Sequence, residues 1–376
     1  MRRVIILARF FLDADSMSKL NIGGIETYLH YLVSVIKQCE LLPIIIQYSK
    51  EDKEVVFNGT KVVGVNVDKL TPEKKVIKLN KKLESMLQEN DIILYATENL
   101  IIQKYKNVAV SIQHGIGRDI VSKGQLSRLE MLKNTINKAR DSYAEQKILS
   151  MIDYLVCVDY NYMNWFRTQT HSIGTKYVCI PNFAKTVPFP RKSDGEIVRI
   201  LFARRLQEYR GTKVFTAVAE KLLNQYPNIE ITIAGDGPDE PWMRDRLGGF
   251  SNVKFIKYTA DESYTVHADK DIAVVPTIGS EGTSLSLLEA MASGCAPVCT
   301  DVGGMTNIIL NGYNGIMVRS AETEELYEAI SELIGKPEYR RNIANNAYKT
   351  VNCSFSHERW KNQWIKAINE IIYLQG

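Results

Sequence analysis

The chain has 376 residues, 45% hydrophobic and 24% charged, with a formal net charge of +4. That length suits two domains of ordinary size, and the composition excludes a disordered, collagenous or low-complexity chain. No apolar run approaches the ~20 residues that cross a bilayer, and the scattered cysteines, without a C-x-x-C pair, argue against a zinc site or disulfide scaffold and for a reducing cytoplasm.

Short apolar runs alternate with helical patterns along the whole chain. Arg2 and Arg3 lead into an apolar stretch, but Arg9, Asp13 and Asp15 break it, so it reads as a buried strand over 3–9 and not as a secretion signal. Further strands are expected at 43–48, 61–67, 91–96, 108–113, 153–158 and 177–180. A helix over 24–38 carries Ile25, Tyr28, Leu29, Leu32 and Ile36 on one face. A charged amphipathic stretch over 124–150 precedes the strand at 153. The segment 181–196, with three prolines, a glycine and a charge cluster, breaks the rhythm as a linker does. Beyond it strands are expected at 197–203, 229–234, 253–256, 271–276, 296–299 and 315–318, and helices at 212–225, 284–293, 322–334 and 338–350. A last helix over 356–374 places Trp360, Trp364, Ile368 and Ile371 on one stripe. Such alternation implies α/β domains with parallel sheets covered on both faces. Two doubly wound domains would face a cleft, with ligands beyond the carboxyl ends of the strands.

Five segments carry candidate chemistry. In Pro276 to Gly294 a strand runs into a small-residue loop that opens a helix, where backbone N–H groups and the helix dipole favour an anion. Glu281 in that loop would repel a phosphate and suits sugar hydroxyls as an acceptor. Glu289, eight residues on, reaches a ribose diol, although Ser286-Leu-Leu-Glu289 also fits a helix capping box. In Ala203 to Gly211, Arg205 and Arg210 flank a βα turn, where guanidinium groups suit bidentate phosphate contacts; a solvated turn would read the same way. Gly23 and Gly24 open the first helix and allow close approach of a ligand to the backbone, without forming a G-x-G-x-x-G fingerprint. His114 ends a strand, where a structural and a functional role are both open. Gly235-Asp-Gly-Pro238 follows a strand as a sharp turn.

The ordered set resembles the retaining, nucleotide-sugar-dependent glycosyltransferase family 4, of GT-B architecture. The matching positions are Gly23-Gly24, His114-Gly115, Pro181-Asn182, Arg205-Leu206 with Arg210-Gly211, Gly235 to Pro238, Glu281 with Glu289, Val302-Gly-Gly304 and Asn311 to Gly315. The chain departs from the pattern at Arg204, where the family usually has glycine, at Tyr209 and Arg210 in place of glutamate and lysine, at Lys257 in place of glycine, and at Asn307 in place of glutamate. The resemblance implies that Gly23 and Gly24 admit the distal phosphate, that Arg205 and Arg210 hold the diphosphate, that Glu281 holds the transferred sugar and that Glu289 binds the ribose. It further places Gly235, Tyr258, Gly282, Thr283, Ser284 and Leu285 around the donor and has His114 contact the donor sugar.

The expected organisation is an acceptor-binding domain over 1–182, a linker over 183–196, a donor-binding domain over 197–355 and a C-terminal helix over 356–376 crossing back to the first domain. The expected activity is a retaining sugar transfer without metal or cofactor, from a UDP-, GDP- or dTDP-linked donor. The acceptor would be a glycan or lipid-linked glycan of a bacterial surface polysaccharide of O-antigen or capsule type. The basic stretch of Lys123, Arg128, Lys133, Lys138, Arg140 and Lys147 adds an anionic membrane surface as a partner, with a solvated helix face as the alternative, so the expected location is cytoplasmic and peripheral on the inner face of the membrane. The competing readings are an inactive relative serving as an assembly partner, and a phosphorylase or epimerase of the same architecture. No nucleic-acid partner is expected.

Overall fold

The computed structural model describes residues 1–21, 23–116, 127–169, 174–189, 196–259, 262–279 and 281–374. It divides into two compact units: Met1–His114 with Lys123–Ile180 and Lys361–Gly376, and Pro181–Trp360 with Gly115–Ser122.

The first unit runs β1 (Arg3–Leu7), α1 (Gly24–Gln38), β2 (Leu42–Ser49), β3 (Lys53–Phe57), β4 (Thr60–Asn66), α2 (Pro72–Met86), β5 (Ile92–Tyr95), β6 (Ala109–Gln113), α3 (Arg128–Leu149), β7 (Tyr154–Cys157), α4 (Tyr160–Gln169) and β8 (Lys176–Cys179). Its strands order as β3-β4-β2-β1-β5-β6-β7-β8. The central strand is apolar along almost its whole length because both faces are covered: Ile5 pairs with Ile44 on one side and Ile93 on the other, and all three are buried. Pairing is parallel except at the edge, where β3 runs antiparallel to β4. That corrects the expectation of parallel strands alone. Asn58 and Gly59 both take positive φ, 46° and 67°, as a two-residue hairpin turn requires.

The second unit runs β9 (Val198–Ala203), α5 (Thr212–Gln225), β10 (Ile229–Ala234), α6 (Glu240–Leu247), β11 (Val253–Ile256), α7 (Ser263–Ala268), β12 (Ile272–Val275), α8 (Leu285–Ala292), β13 (Ala296–Thr300), β14 (Ile316–Val318), α9 (Thr323–Gly335), α10 (Pro337–Ser354) and the start of α11 (His357–Tyr373). Its six strands, all parallel, order as β11-β10-β9-β12-β13-β14. Phe202 stacks on Phe215 at 4.7 Å inside a core that includes Ile200, Ile231, Val274 and Val298.

The C-terminal helix buries the stripe of Trp360, Trp364, Ile368 and Ile371. Within the first unit, Trp364 Nε1 donates to Tyr28 Oη at 2.7 Å and Tyr154 Oη donates to Glu370 at 2.9 Å. Of the proline-rich segment, residues 190–195 lie outside the described residues, as do Lys123 and the start of the amphipathic stretch. In each sheet the strand order reverses beside the first strand of the unit, between β1 and β5 and between β9 and β12. Such a reversal opens a crevice past the carboxyl ends of the strands, the usual ligand position in this class of sheet.

Candidate functional site

In the second unit that crevice is ionic. Arg204 follows the last residue of β9 and Thr277 comes two residues after β12, so the strand reversal itself brings them together. Arg204 is 7% exposed and Glu281 9%. Arg204 Nη2 donates to Glu281 Oε2 at 2.8 Å, Thr277 Oγ1 donates to the same oxygen at 3.0 Å, and Arg210 Nη1 donates to it as well. Arg204 Nη1 also donates to Thr277 Oγ1. Burial by itself would raise the Glu281 pKa, but the charges of Arg204 and then Arg210 outweigh it, and the carboxyl lies below its usual range. Glu281 is thus held ionised and is a poor base. Its three bonds all engage Oε2, so Oε1 is the oxygen on which two sugar hydroxyls can converge.

Two glycines make this arrangement possible. Gly303 has φ +53°, and a Cβ there would stand 1.8 Å from the Glu281 carbonyl oxygen. Gly235 has φ +133°, and a Cβ there would stand 2.0 Å from the Arg204 carbonyl oxygen. Both loops therefore approach the ionic pair backbone to backbone, which only glycine permits.

Glu289 lies on α8, four residues beyond Leu285. Its Oε2 accepts from Ser263 Oγ at 2.6 Å. The capping-box reading is corrected here: the helix is capped at Ser284 without a side-chain bond. A capping glutamate stands three residues past the cap, whereas Glu289 stands five past it. Burial pushes the Glu289 pKa up to about 7, the Ser263 bond and the charge of Lys185 opposing it only in part. Tyr258 packs on Leu201, Ala203 and Ala234, and burial raises its pKa. Thr283 and Ser284 are buried, and Thr283 O accepts from Asn182 Nδ2 at 2.6 Å, fixing the loop that holds Gly282 and leads into Leu285, the first residue of α8.

Arg205 stands apart from this cluster. Its side chain is exposed, while its neighbour Arg204 is the one turned inward. Lys257 pairs with Glu240 at 3.5 Å, away from the ionic cluster. Arg204 is the residue that motif reading passed over: it stood out only as a departure from the expected glycine.

In the first unit the expected donor contacts lie at the start of α1 and after β6. Gly23 caps α1 and Gly24 is its first residue. Glu26 lies in the first turn, where it accepts from Asn21 Nδ2 at 3.3 Å. His114 follows β6, stands edge-on to Tyr28 at 5.5 Å, and its Nε2 lies 3.0 Å from the Ala96 carbonyl. A carbonyl accepts only, so Nε2 carries the proton and Nδ1 is left as an acceptor. Desolvation takes the imidazole pKa down to about 4 against the opposing Ala96 bond, so the ring is neutral at neutral pH.

Residues 185–350 match the family model described as glycosyl transferases group 1. An uncharacterised glycosyltransferase of Methanocaldococcus jannaschii is 29% identical over 174 residues, covering 45% of this chain and 43% of that protein. The chain spans about half or less of the length of the curated relatives it matches. Sucrose-phosphate synthase from Thermosynechococcus elongatus has a TM-score of 0.77 over 100% of both chains at 15% identity. Anabaena HepE in complex with UDP and glucose has a TM-score of 0.70 over 98% of this chain and 100% of HepE, at 16% identity. Likeness at these identities shows the fold: two Rossmann-like α/β units of the GT-B class, as the sequence resemblance implies.

Proposed function

We propose that the chain is a retaining glycosyltransferase that uses a nucleoside-diphosphate sugar. The observation that carries this reading is the buried carboxylate of Glu281, held by Arg204, Arg210 and Thr277 at the strand reversal, with Glu289 eight residues further along. Glu281 Oε1 accepts hydroxyls of the donor sugar, and Glu289 accepts the ribose diol. Arg205 and Arg210, with the first amides of α8, take the charge of the leaving diphosphate, so no metal is required in that role. The departing phosphate removes the acceptor hydroxyl proton as the new bond forms on the face the nucleotide leaves, which retains the anomeric configuration. The neutral His114 contacts the donor sugar through Nδ1. The UDP bound by HepE supports a nucleotide-sugar donor, and the names of the curated relatives support sugar transfer. The acceptor in this reading is a glycan or lipid-linked glycan of a bacterial surface polysaccharide.

A thermal-shift panel of UDP, GDP, dTDP and ADP tests it. A ligand at about a hundred times its Kd adds ~2.7 kcal/mol, and one diphosphate is expected to shift the melting of wild type and of Glu281→Gln alike. Transfer by Glu281→Gln is expected to fall by about 10²–10³, as when one preorganised polar group is lost from a transition state. A sugar covalently trapped on Glu281 would overturn its role as an anchor. No shift with any nucleotide would move the reading to an inactive assembly partner.

A further inference from the structure

The first unit carries a helix whose outward side the proposed chemistry leaves unused. α3 is 22 residues long and begins with a complete capping box between Ser127 and Glu130. Its C-terminal end is anchored: Leu149 is buried, the Leu149 carbonyl accepts from Thr175 Oγ1 at 2.9 Å, and Glu145 accepts from Tyr162 Oη at 2.5 Å. Ahead of that anchor, Leu129, Leu132, Ile136, Ala139 and Tyr143 recur at alternating spacings of three and four, a single apolar seam about 21 Å long. The seam faces outward. Leu129, Leu132, Ile136 and Tyr143 are 80%, 61%, 58% and 72% exposed.

The charges sort around this seam. Lys133, Arg140 and Lys147 recur every seven residues along one border of it, and Arg128 stands on the other. Glu130, Asp141 and Glu145 lie on the far side of the helix with Lys138, and Arg140 reaches back to Asp141 at 3.8 Å. Cations therefore border the apolar seam and the acids avoid it. A second copy of the helix is a poor occupant. The flanking positions that pair charges across a coiled coil hold Lys133, Arg140 and Lys147 on one side and Arg128, Thr135 and Ser142 on the other, so two copies would offer these cations no acid in return.

We propose that this face docks on an anionic lipid surface. Leucine, isoleucine and alanine enter the acyl boundary. The aliphatic stems of the flanking lysines and arginines follow them while the charged ends stay among the headgroups, and Tyr143 sits at the level where an amphipathic ring is stable. Each cation near such a surface strengthens binding by about fivefold.

Co-sedimentation of the full chain with vesicles tests the proposal. With vesicles of equal parts phosphatidylglycerol and phosphatidylcholine at low salt, the protein is expected in the pellet. Raised salt or phosphatidylcholine alone is expected to return it to the supernatant. The triple change Lys133→Gln, Arg140→Gln, Lys147→Gln should weaken partitioning on the order of a hundredfold. Leu132→Gln with Ile136→Gln should weaken partitioning at low salt as well, since the apolar seam no longer enters the acyl boundary. All five positions are exposed, so melting and nucleotide binding are expected to match wild type in the same samples, which separates this result from any failure of the donor-site reading. Wild-type protein that stays in the supernatant with anionic vesicles at low salt would overturn the proposal. So would variants that pellet like wild type, or a seam whose loss only converts a dimer to a monomer in light scattering.

Discussion

The two units share one architecture and treat the end of their central strands in opposite ways. Past β9, the second unit buries charge: Arg204 and Arg210 on a single glutamate oxygen. In the first unit β2 instead buries an amide against the loop that follows β1. Gln47, fully buried, accepts from the backbone of Phe11 and Leu12 at 3.0 and 2.7 Å and donates to Leu12 O and Tyr48 O at 3.1 Å each. The unit's candidate residue His114 is neutral.

Arg204→Met is the sharpest way to break that contrast. Removing one partner of a buried ion pair costs about 3–5 kcal/mol, and the melting temperature is expected to fall accordingly. The Glu281 carboxyl, with less cationic support, should move up, carrying the acidic limb of the transfer rate with it. A pH profile unchanged from wild type would show that Arg204 does not hold Glu281.

Gln47→Leu is the matching change in the other unit. It strands buried backbone groups and should cost about 1–3 kcal/mol, read by thermal or urea unfolding. Nucleoside diphosphate affinity is expected to stay at the wild-type value, because the ionic cluster is untouched.

A smaller effect concerns Glu289. Its folded pKa, about 7, lies above the usual 4.5, so the folded state holds the proton. The stability it contributes is present below the unfolded value and is lost as pH rises through about 7. A ribose diol donates to the ionised form, so binding expels that proton. Nucleoside affinity should then weaken by up to about tenfold for each pH unit below 7, and calorimetry on Glu289→Gln should find this dependence absent.

Much of this was legible in the residues. The continuous apolar runs of β1, β9 and β12 and the stripe of Trp360, Trp364, Ile368 and Ile371 follow from burial on both faces or on one helical side, which local pattern records directly. The spacing of Glu281 and Glu289 likewise places both on one loop and helix. The Asn58-Gly59 hairpin carried a local signal that the strand–helix rhythm masked.

What local pattern cannot record is which way a side chain turns where a strand ends. One residue reverses the face. Whether Arg204 or Arg205 reaches Glu281 is decided by the register of β9 against β10 and β12 and by Gly235 lying against the Arg204 carbonyl. The partner of Glu289 is similar: a capping box and a bond to Ser263 fit the same sequence, and packing of α7 beside α8 selects the second. Local pattern settles the two α/β units, the order of their elements and the polar residues available to them. The ionisation of Glu281, the neutrality of His114 and the exposure of the α3 seam belong to the tertiary structure alone, because each depends on burial and on partners drawn from distant parts of the chain.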